Sequence, residues 1–396
     1  MTKAPTVISS NFILVLVVVF LASFSSWMVS SVSIPFLIKE FVSTKEATAA
    51  MYGVLMSVSS VATTISYFVG GFLGDRLKRG WVILVSLSIL TPTLFIYTFV
   101  SKVYLVAALY FVQMFSIGLS QPAFLALVAD LSKASSRGKA YGIYNTFWFG
   151  SQVPAPLLGG FLADVVGLRF PFGIAALVSL TALAVSFSLA KVEPQAITEA
   201  EVQPKDEKKF MPFSIMLLIF GTLNLLMGVV FGMMAPLIIL YYMFQLDVSG
   251  FELGLAMSLG YSLVTAVVQL PGGKLTDRVG RKPLVLFSSL ITIPLMVAVA
   301  YTRSLFELIL ISAALVGTGF LAAPAFYTWL MDFTPSSKRA SAQGLVGTTY
   351  GIGMVMGPVL STWLYYSQPN IILPFAAVTI PSILQIPLIL KLKETK

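Results

Sequence analysis

Of 396 residues, 57% are hydrophobic and only 10% charged, with 30 Phe, a mean hydropathy of +0.92 and a formal charge of +9. A soluble domain carries roughly a quarter charged residues, so this composition excludes a water-soluble globule and indicates an integral membrane protein. The absence of both Cys and His removes disulfides, thiol chemistry, His-metal sites and an imidazole switch.

Neither half shows the ten-residue alternation of an outer-membrane barrel, so the spans are expected to be helices. A helix needs about 20 apolar residues to cross the hydrocarbon layer. The run from Phe12 has the look of a signal-peptide core, but only Lys3 precedes it and it continues through Trp27 to Ile38 without a small-residue cleavage pattern. It is taken as the first span. Cutting at charges and Gly/Pro clusters predicts twelve spans: 12–37, 51–73, 81–100, 103–129, 140–163, 170–190, 212–244, 252–275, 284–301, 305–331, 340–366 and 371–390. Between the sixth and seventh, residues 191–209 hold nine charges, a composition that suits a solvated linker. The expectation is an all-α polytopic membrane protein: a six-helix bundle at 1–190, a cytoplasmic linker at 191–211 and a second six-helix bundle at 212–396. With the N-terminus placed inside, twenty of the 25 basic residues fall on the cytoplasmic side, leaving Lys39, Lys45, Lys102, Arg169 and Arg303 outside. That bias puts both termini in the cytoplasm and the chain in the cell membrane, and it explains the basic excess without a nucleic-acid partner.

The two halves repeat. Gly273-Lys274-Leu275-Thr276-Asp277-Arg278-Val279-Gly280-Arg281 has an earlier copy in Gly71-Phe72-Leu73-Gly74-Asp75-Arg76-Leu77-Lys78-Arg79, an offset of 202 residues. At the same offset Pro122-Ala123-Phe124 matches Pro324-Ala325-Phe326, and Asp130, Arg137, Ala140, Gly142 and Pro156 match Asp332, Arg339, Ala342, Gly344 and Pro358. Parallel repeats of this kind place the working cavity between the halves.

The second turn is a full match to a signature of the major facilitator superfamily of secondary transporters, which the chain resembles over nearly its whole length. The first copy departs from it, with Lys78 in place of a glycine and Gly80 in place of a basic residue. The resemblance implies a cytoplasmic gate built from Gly71, Asp75, Arg76, Arg79, Asp130 and Arg137 in one half and Gly273, Asp277, Arg278, Gly280, Arg281, Asp332 and Arg339 in the other. An acid beside a helix N-terminus is favoured by the dipole, and a neighbouring Arg adds charge-assisted hydrogen bonds. Asp75 is therefore expected to meet the start of span 11 near Arg339, and Asp277 the start of span 5 near Arg137; Asp130 and Asp332 recur near the same arginines. The alternative is that the turns only set topology.

Span 11 carries Gly344, Gly353, Gly357 and Pro358, and span 5 carries Gly142, Ser151, Ala155, Pro156, Gly159 and Gly160 at the same spacing. Small residues at such intervals allow close helix packing, and proline bends the helix. The span 5 version resembles the antiporter motif of drug exporters, with Ser151 and Ala155 where that motif has glycine. Generic tight packing explains it equally. In span 4, Tyr110 stands where many proton-coupled members carry Arg, and Met114 where they carry glycine.

No acid or base lies at a helix centre in this division of the chain, and such residues mark proton relays and charged-substrate sites. A cavity without them suits a neutral or hydrophobic solute. Its expected lining is Ser26, Ser30, Gln113, Gln121, Asn145, Trp148, Gln152, Asn224, Gln269, Tyr327, Trp329 and Tyr350, with Met216, Met227, Met233, Met234 and Met243 as an adaptable surface. Each of these side chains could equally be a packing contact. Coupling protons would need peripheral carboxylates, of which Glu252, Glu307 and Asp164 are the candidates; the first two could also be plain helix-start acids. With no nucleophile–base pair, metal cluster, phosphate-cradling loop or Walker sequence, neither an enzyme nor a bound cofactor is expected. The sequence reads as a monomeric secondary transporter working by alternating access, exporting hydrophobic or amphiphilic compounds by proton antiport. The alternatives are a facilitator or symporter of a neutral solute such as a sugar or metabolite, and a lipid-moving or transporter-like receptor protein.

Overall fold

The computed structural model describes residues 10–42, 44–132, 137–191, 213–334, 339–368 and 370–394, and among these it is helical with no strand. Helix α1 (Ser10–Met28) runs through a π turn (Val29–Ser33) into α2 (Ile34–Phe41); α3 (Lys45–Arg76), α4 (Arg79–Ile96) and α5 (Val103–Asp130) follow. Then come α6 (Arg137–Ser151), α7 (Pro154–Val165), α8 (Phe170–Leu189) and α9 (Phe213–Phe244). Helix α10 (Gly250–Ala256) passes through a second π turn (Met257–Leu263) into α11 (Val264–Val279). The last four are α12 (Arg281–Val299), α13 (Leu305–Phe333), α14 (Arg339–Ser367) and α15 (Ile372–Lys391).

Ten of the described helices, counted with their π turns, are long and apolar enough to cross a membrane. The predicted spans 5 and 11 fall short for compositional reasons. Span 5 is divided at Gln152–Val153, because Pro154 and Pro156 bring no N–H to the helical ladder. The Val153 N–H turns instead to the Gly150 carbonyl at 3.3 Å. Span 11 persists as the 29-residue α14, diluted by Gly344, Gly347, Gly351, Gly353 and Gly357 and by the pairs Thr348–Thr349 and Ser361–Thr362.

The chain forms two compact units. One comprises Met1–Phe41, Val61–Ala200 and Ser249–Ser258; the other comprises Val42–Ser60, Glu201–Val248 and Leu259–Lys396. Two helical runs therefore change unit along their length, α3 after Ser60 and α10–α11 after Ser258. Both changes fall where the helical ladder is modified. Ser59 and Ser60 each donate a hydroxyl back to the Met56 carbonyl, at 2.7 and 3.0 Å, a bond that tends to bend a helix. The second change lies inside the π turn.

Each unit is held by backbone-close contacts and by hydroxyls spent on neighbouring helices. In the second unit α9 lies against α14 with Gly228 and Gly232 facing Gly353 and Gly357, so close that a Cβ on either α14 glycine would collide with α9 backbone. Ser57 adds a bond to the Val355 carbonyl at 2.6 Å. In the first unit Gly159 meets the Met28 carbonyl, Gly160 meets the Gly250 carbonyl, and Gly254 meets the Pro156 carbonyl. Gly142 and Gly344, assigned the same packing role from sequence, differ: a Cβ on either would meet nothing within 4 Å. They sit a few residues from the start of their helices, ahead of the close crossings.

Gly353→Val and Gly357→Leu are expected to destabilise the second unit at or above the top of the ~1–3 kcal/mol range for overpacking, because the obstacle is backbone. Gly344→Ala is expected to be tolerated. The yield of monodisperse protein after detergent extraction checks both expectations.

Candidate functional site

The two repeated turns differ in length. Two residues separate α3 from α4, but Gly280 alone separates α11 from α12. The shorter link needs φ +105° at Gly280, a conformation that strains an L side chain, whereas Lys78 sits at φ −57°. This is why the first copy dispenses with the glycine. Each turn then delivers its closing arginine to the aspartate ending the next span. Arg79 pairs with Asp130 and donates to the Ala126 carbonyl at 2.9 Å, and Arg281 Nε pairs with Asp332 Oδ2 at 3.0 Å. The pairs stand 202 residues apart, so the sequence repeat is also a repeat of contacts. The sequence had set these aspartates beside Arg137 and Arg339; their described partners are the motif arginines, which start the helices packed directly on α5 and α13. The side chains of Asp75, Asp277, Arg137 and Arg339, and with them the expected Asp75–Arg339 and Asp277–Arg137 contacts, lie outside the described residues. Arg76 is exposed, its guanidinium 3.9 Å from the centre of the Phe72 ring, and Arg278 is exposed as well. Gly71 and Gly273 face open space.

The second turn is also tied to the chain's end. Glu394 accepts from the N–H groups of Arg281 and Lys282, at 3.1 and 2.9 Å, capping α12. Lys282 Nζ in turn donates to the Leu390 and Leu392 carbonyls, at 2.9 and 2.7 Å, capping α15. An acid at a helix start and an ammonium at a helix end are the arrangements the dipole favours. Trp329 Nε1 completes the tie with a bond to the Lys393 carbonyl at 3.0 Å. Trp329 was expected in the cavity; it is fully buried in the bundle core, edge-on to Phe220, because its N–H finds a partner there. The partner of Glu394 in this cap is 113 residues away along the chain.

At the other end of the helices, Glu252 and Ser249 form a reciprocal capping box, and Glu307 accepts from the Arg303 N–H at 2.8 Å while Ser304 accepts from the Glu307 N–H. Their helix-start reading is the one the geometry matches. Asp164 is different. Its two carboxylate oxygens accept from the Gly250 and Phe251 N–H groups, at 3.0 and 2.7 Å, joining the end of α7 to the start of α10. Phe161 meets Phe251 edge-on beside this clasp, at 6.4 Å between ring centres.

Most of the neutral polar candidates spend their bonds within a bundle. Gln113, wholly buried, donates to the Ser26 and Ser30 hydroxyls at 2.9 Å, beside the first π turn. Gln121 accepts from the Tyr144 hydroxyl at 3.0 Å, and Asn224 donates to the Val346 carbonyl at 2.6 Å. With its amide oriented by two indoles, buried Gln152 accepts from Trp148 Nε1 at 3.1 Å and Trp27 Nε1 at 3.2 Å. The expectation that Ser26, Gln113, Gln121, Gln152 and Asn224 line an open cavity is corrected: an amide in an apolar bundle costs free energy until it is hydrogen-bonded, and the nearest partners are on adjoining helices. Asn145, Trp148 and Tyr350 are half-buried and Tyr327 is exposed, so these keep an accessible face; the Gln269 side chain lies outside the described residues. Tyr350, Phe231, Phe320 and Tyr261 form a chain of rings with centres 6.1 to 6.4 Å apart. A small cavity of about 50 Å³ lies between α9, α12, α13 and α15, lined by Met227 and Met234 and by a Ser289–Gln385 pair, 3.0 Å apart, that no motif announced.

The sequence pattern described as Major Facilitator Superfamily matches residues 15–234 and 220–396, practically the whole chain. The chain belongs to the major facilitator superfamily. As a member of it the protein is a multi-pass membrane transporter and not an enzyme. The Inner membrane transport protein YajR of Escherichia coli (strain K12) is 35% identical over 133 residues, covering 33% of this chain and 29% of that protein. The chain thus matches less than a third of that relative's length. The Tetracycline resistance protein, class B, of Escherichia coli is 24% identical over 343 residues, covering 84% of this chain and 83% of that protein. Among solved structures, the human organic anion transporter MFSD10 (TETRAN) superposes with a TM-score of 0.71 at 15% identity, over 96% of this chain and 100% of that one, a likeness of fold.

In this superfamily member, Arg281→Ala and Asp332→Asn are each expected to lower stability by about 1–3 kcal/mol, since each leaves a half-buried partner without its bond. The double variant is expected to lose less than the sum of the two. Thermal unfolding of the purified variants checks this; strictly additive losses would show that the pair is uncoupled.

Proposed function

We propose that the protein exports neutral hydrophobic or amphiphilic compounds by alternating access, with both termini and the two repeated turns on the cytoplasmic side. The observation that carries this reading is the chemistry of the helix interiors. They offer the half-buried Asn145 and Trp148 and the Phe231–Tyr261–Phe320–Tyr350 ring chain, while the described acids and bases keep to helix ends and connections. An uncharged surface of this kind suits an apolar solute with a few polar groups. The similarity to a tetracycline resistance protein supports the outward direction.

The Arg79–Asp130 and Arg281–Asp332 pairs, with the flanking Asp75, Arg76, Asp277 and Arg278, serve as the cytoplasmic gate. Switching is accommodated where α3 and α10–α11 change unit, at Ser59–Ser60 and in the second π turn. Proton coupling is assigned to Asp164, the one acid among the three candidates whose carboxylate joins two membrane helices. Ionised, it holds the first amides of α10; protonated, it loses the charge that strengthens both bonds. A second reading, an uncoupled facilitator of a neutral solute, is favoured by the engagement of Glu252 and Glu307 in helix caps.

Reconstitution in liposomes separates the two. Amphiphilic dye movement that collapses with the pH gradient is the expected result, and Asp164→Asn is expected to cut gradient-driven flux roughly tenfold or more, the factor that about 1.5 kcal/mol of lost charge-assisted bonding gives, while downhill exchange continues. Flux of a sugar indifferent to the gradient, with no dye movement, would establish the facilitator instead.

A further inference from the structure

In the first unit, α4 and α8 leave between them an apolar groove of about 770 Å³. Both helices are membrane spans, and Phe95, Phe170, Leu177 and Leu180 on its walls are exposed, so the groove opens toward the bilayer. Its shape follows from the sequence. Pro92 interrupts the hydrogen-bond ladder of α4, and Gly173 presents no side chain: a Cβ there would meet nothing within 4 Å. The bond between Thr91 Oγ1 and Ser179 Oγ, 2.8 Å, holds the helices together at the far end. From Phe170 to Leu180 the groove follows α8 for about 15 Å, at 1.5 Å rise per residue. That is half of a hydrocarbon layer about 30 Å thick, the depth of one leaflet.

At its mouth lies a salt bridge. Arg169, the residue preceding α8, donates to the Val100 carbonyl and pairs through Nη2 with Glu40 Oε1 at 3.2 Å. The two side chains keep 36% and 46% of their surface exposed, so each has donor or acceptor capacity still facing outward. The Arg169 guanidinium also lies 5.7 Å from the centre of the Phe41 ring, and Phe99, next to Val100 in the chain, is exposed.

We propose that this groove binds one acyl chain of an aminophospholipid, whose phosphate is taken by Arg169 and whose primary ammonium is taken by Glu40. The complementarity is specific. An adjacent cation and anion with no net charge match a phosphate and an ammonium a few bonds apart. An anionic headgroup would satisfy Arg169 and be repelled by Glu40, and a choline headgroup has no N–H to give the carboxylate.

Native mass spectrometry of the detergent-solubilised full chain, offered equal amounts of phosphatidylethanolamine, phosphatidylglycerol and phosphatidylcholine, tests the proposal. The expected result is retention of phosphatidylethanolamine roughly fivefold over the other two, a preference of ordinary size for one headgroup interaction. Gly173→Phe, which fills the groove floor, is expected to remove the retained lipid at unchanged melting temperature. Glu40→Gln, at an exposed position, is expected to keep a bound lipid and lose the headgroup preference. Equal retention of the three lipids would overturn the proposal, as would retention unaffected by Gly173→Phe, which would mark the lipid as ordinary boundary lipid. Should Gly173→Phe fail to fold, an unchanged preference in Glu40→Gln overturns it alone.

Discussion

Hydrocarbon offers no water to backbone or side-chain polar groups, and apolar surface gains nothing by leaving lipid for another helix. Helices in this protein can therefore be held only by contacts made at van der Waals distance or by hydrogen bonds completed inside the bundle. Both devices are present. Gly353 and Gly357 bring α14 against α9, and Gly159, Gly160 and Gly254 bring α7 against α1 and α10. Hydroxyls and amides are bonded where they stand, as in Gln113 with Ser26 and Ser30, Asn224 with Val346, and Ser289 with Gln385. These are the contacts that hold the helices of each unit together.

The same constraint drives charge to the ends, and there the charges are used for more than topology. The closing arginine of each repeated turn meets an aspartate at the end of the neighbouring helix, and Glu394 and Lys282 cap each other's helices beside the second pair. The far ends are capped by Ser249–Glu252, by Ser304–Glu307 and by Asp164 reaching from α7 to α10. Tight packing along the helices and polar ties at both ends suit the alternating access proposed for this chain. They leave the interior neutral, which is the property that bears on cargo.

Much of the fold was legible because its signals are compositional or periodic: apolar runs cut by charges, and a 202-residue repeat that carried both motifs. The candidate site was legible only in part. Asp130 and Asp332 stood out as repeated acids, but their pairing with Arg79 and Arg281 depends on which helix packs beside which, and spacing along the chain does not give that. The polar lining was misjudged for a related reason. These helices are apolar on every side, so no amphipathic stripe tells which face of α5 or α9 Gln113 or Asn224 occupies. In span 5 the single Pro156 of the motif suggests a bend, whereas Pro154 and Pro156 together divide the helix. Glu394 and Asp164 act on backbone amides, which leave no residue-type trace at the receiving end.

We propose alternating access with the repeated turns as the moving gate, and the chain lends itself to a direct measurement because it contains no cysteine. Leu77 and Val279 are exposed at equivalent places in the two turns, so a Leu77→Cys/Val279→Cys pair can carry spin labels without background. Pulsed electron–electron distance measurements in lipid nanodiscs are expected to show two distance populations, whose ratio shifts on adding a transported compound and on substituting Asp277→Asn. A single distance, unmoved by either in protein that still transports, would contradict the gate.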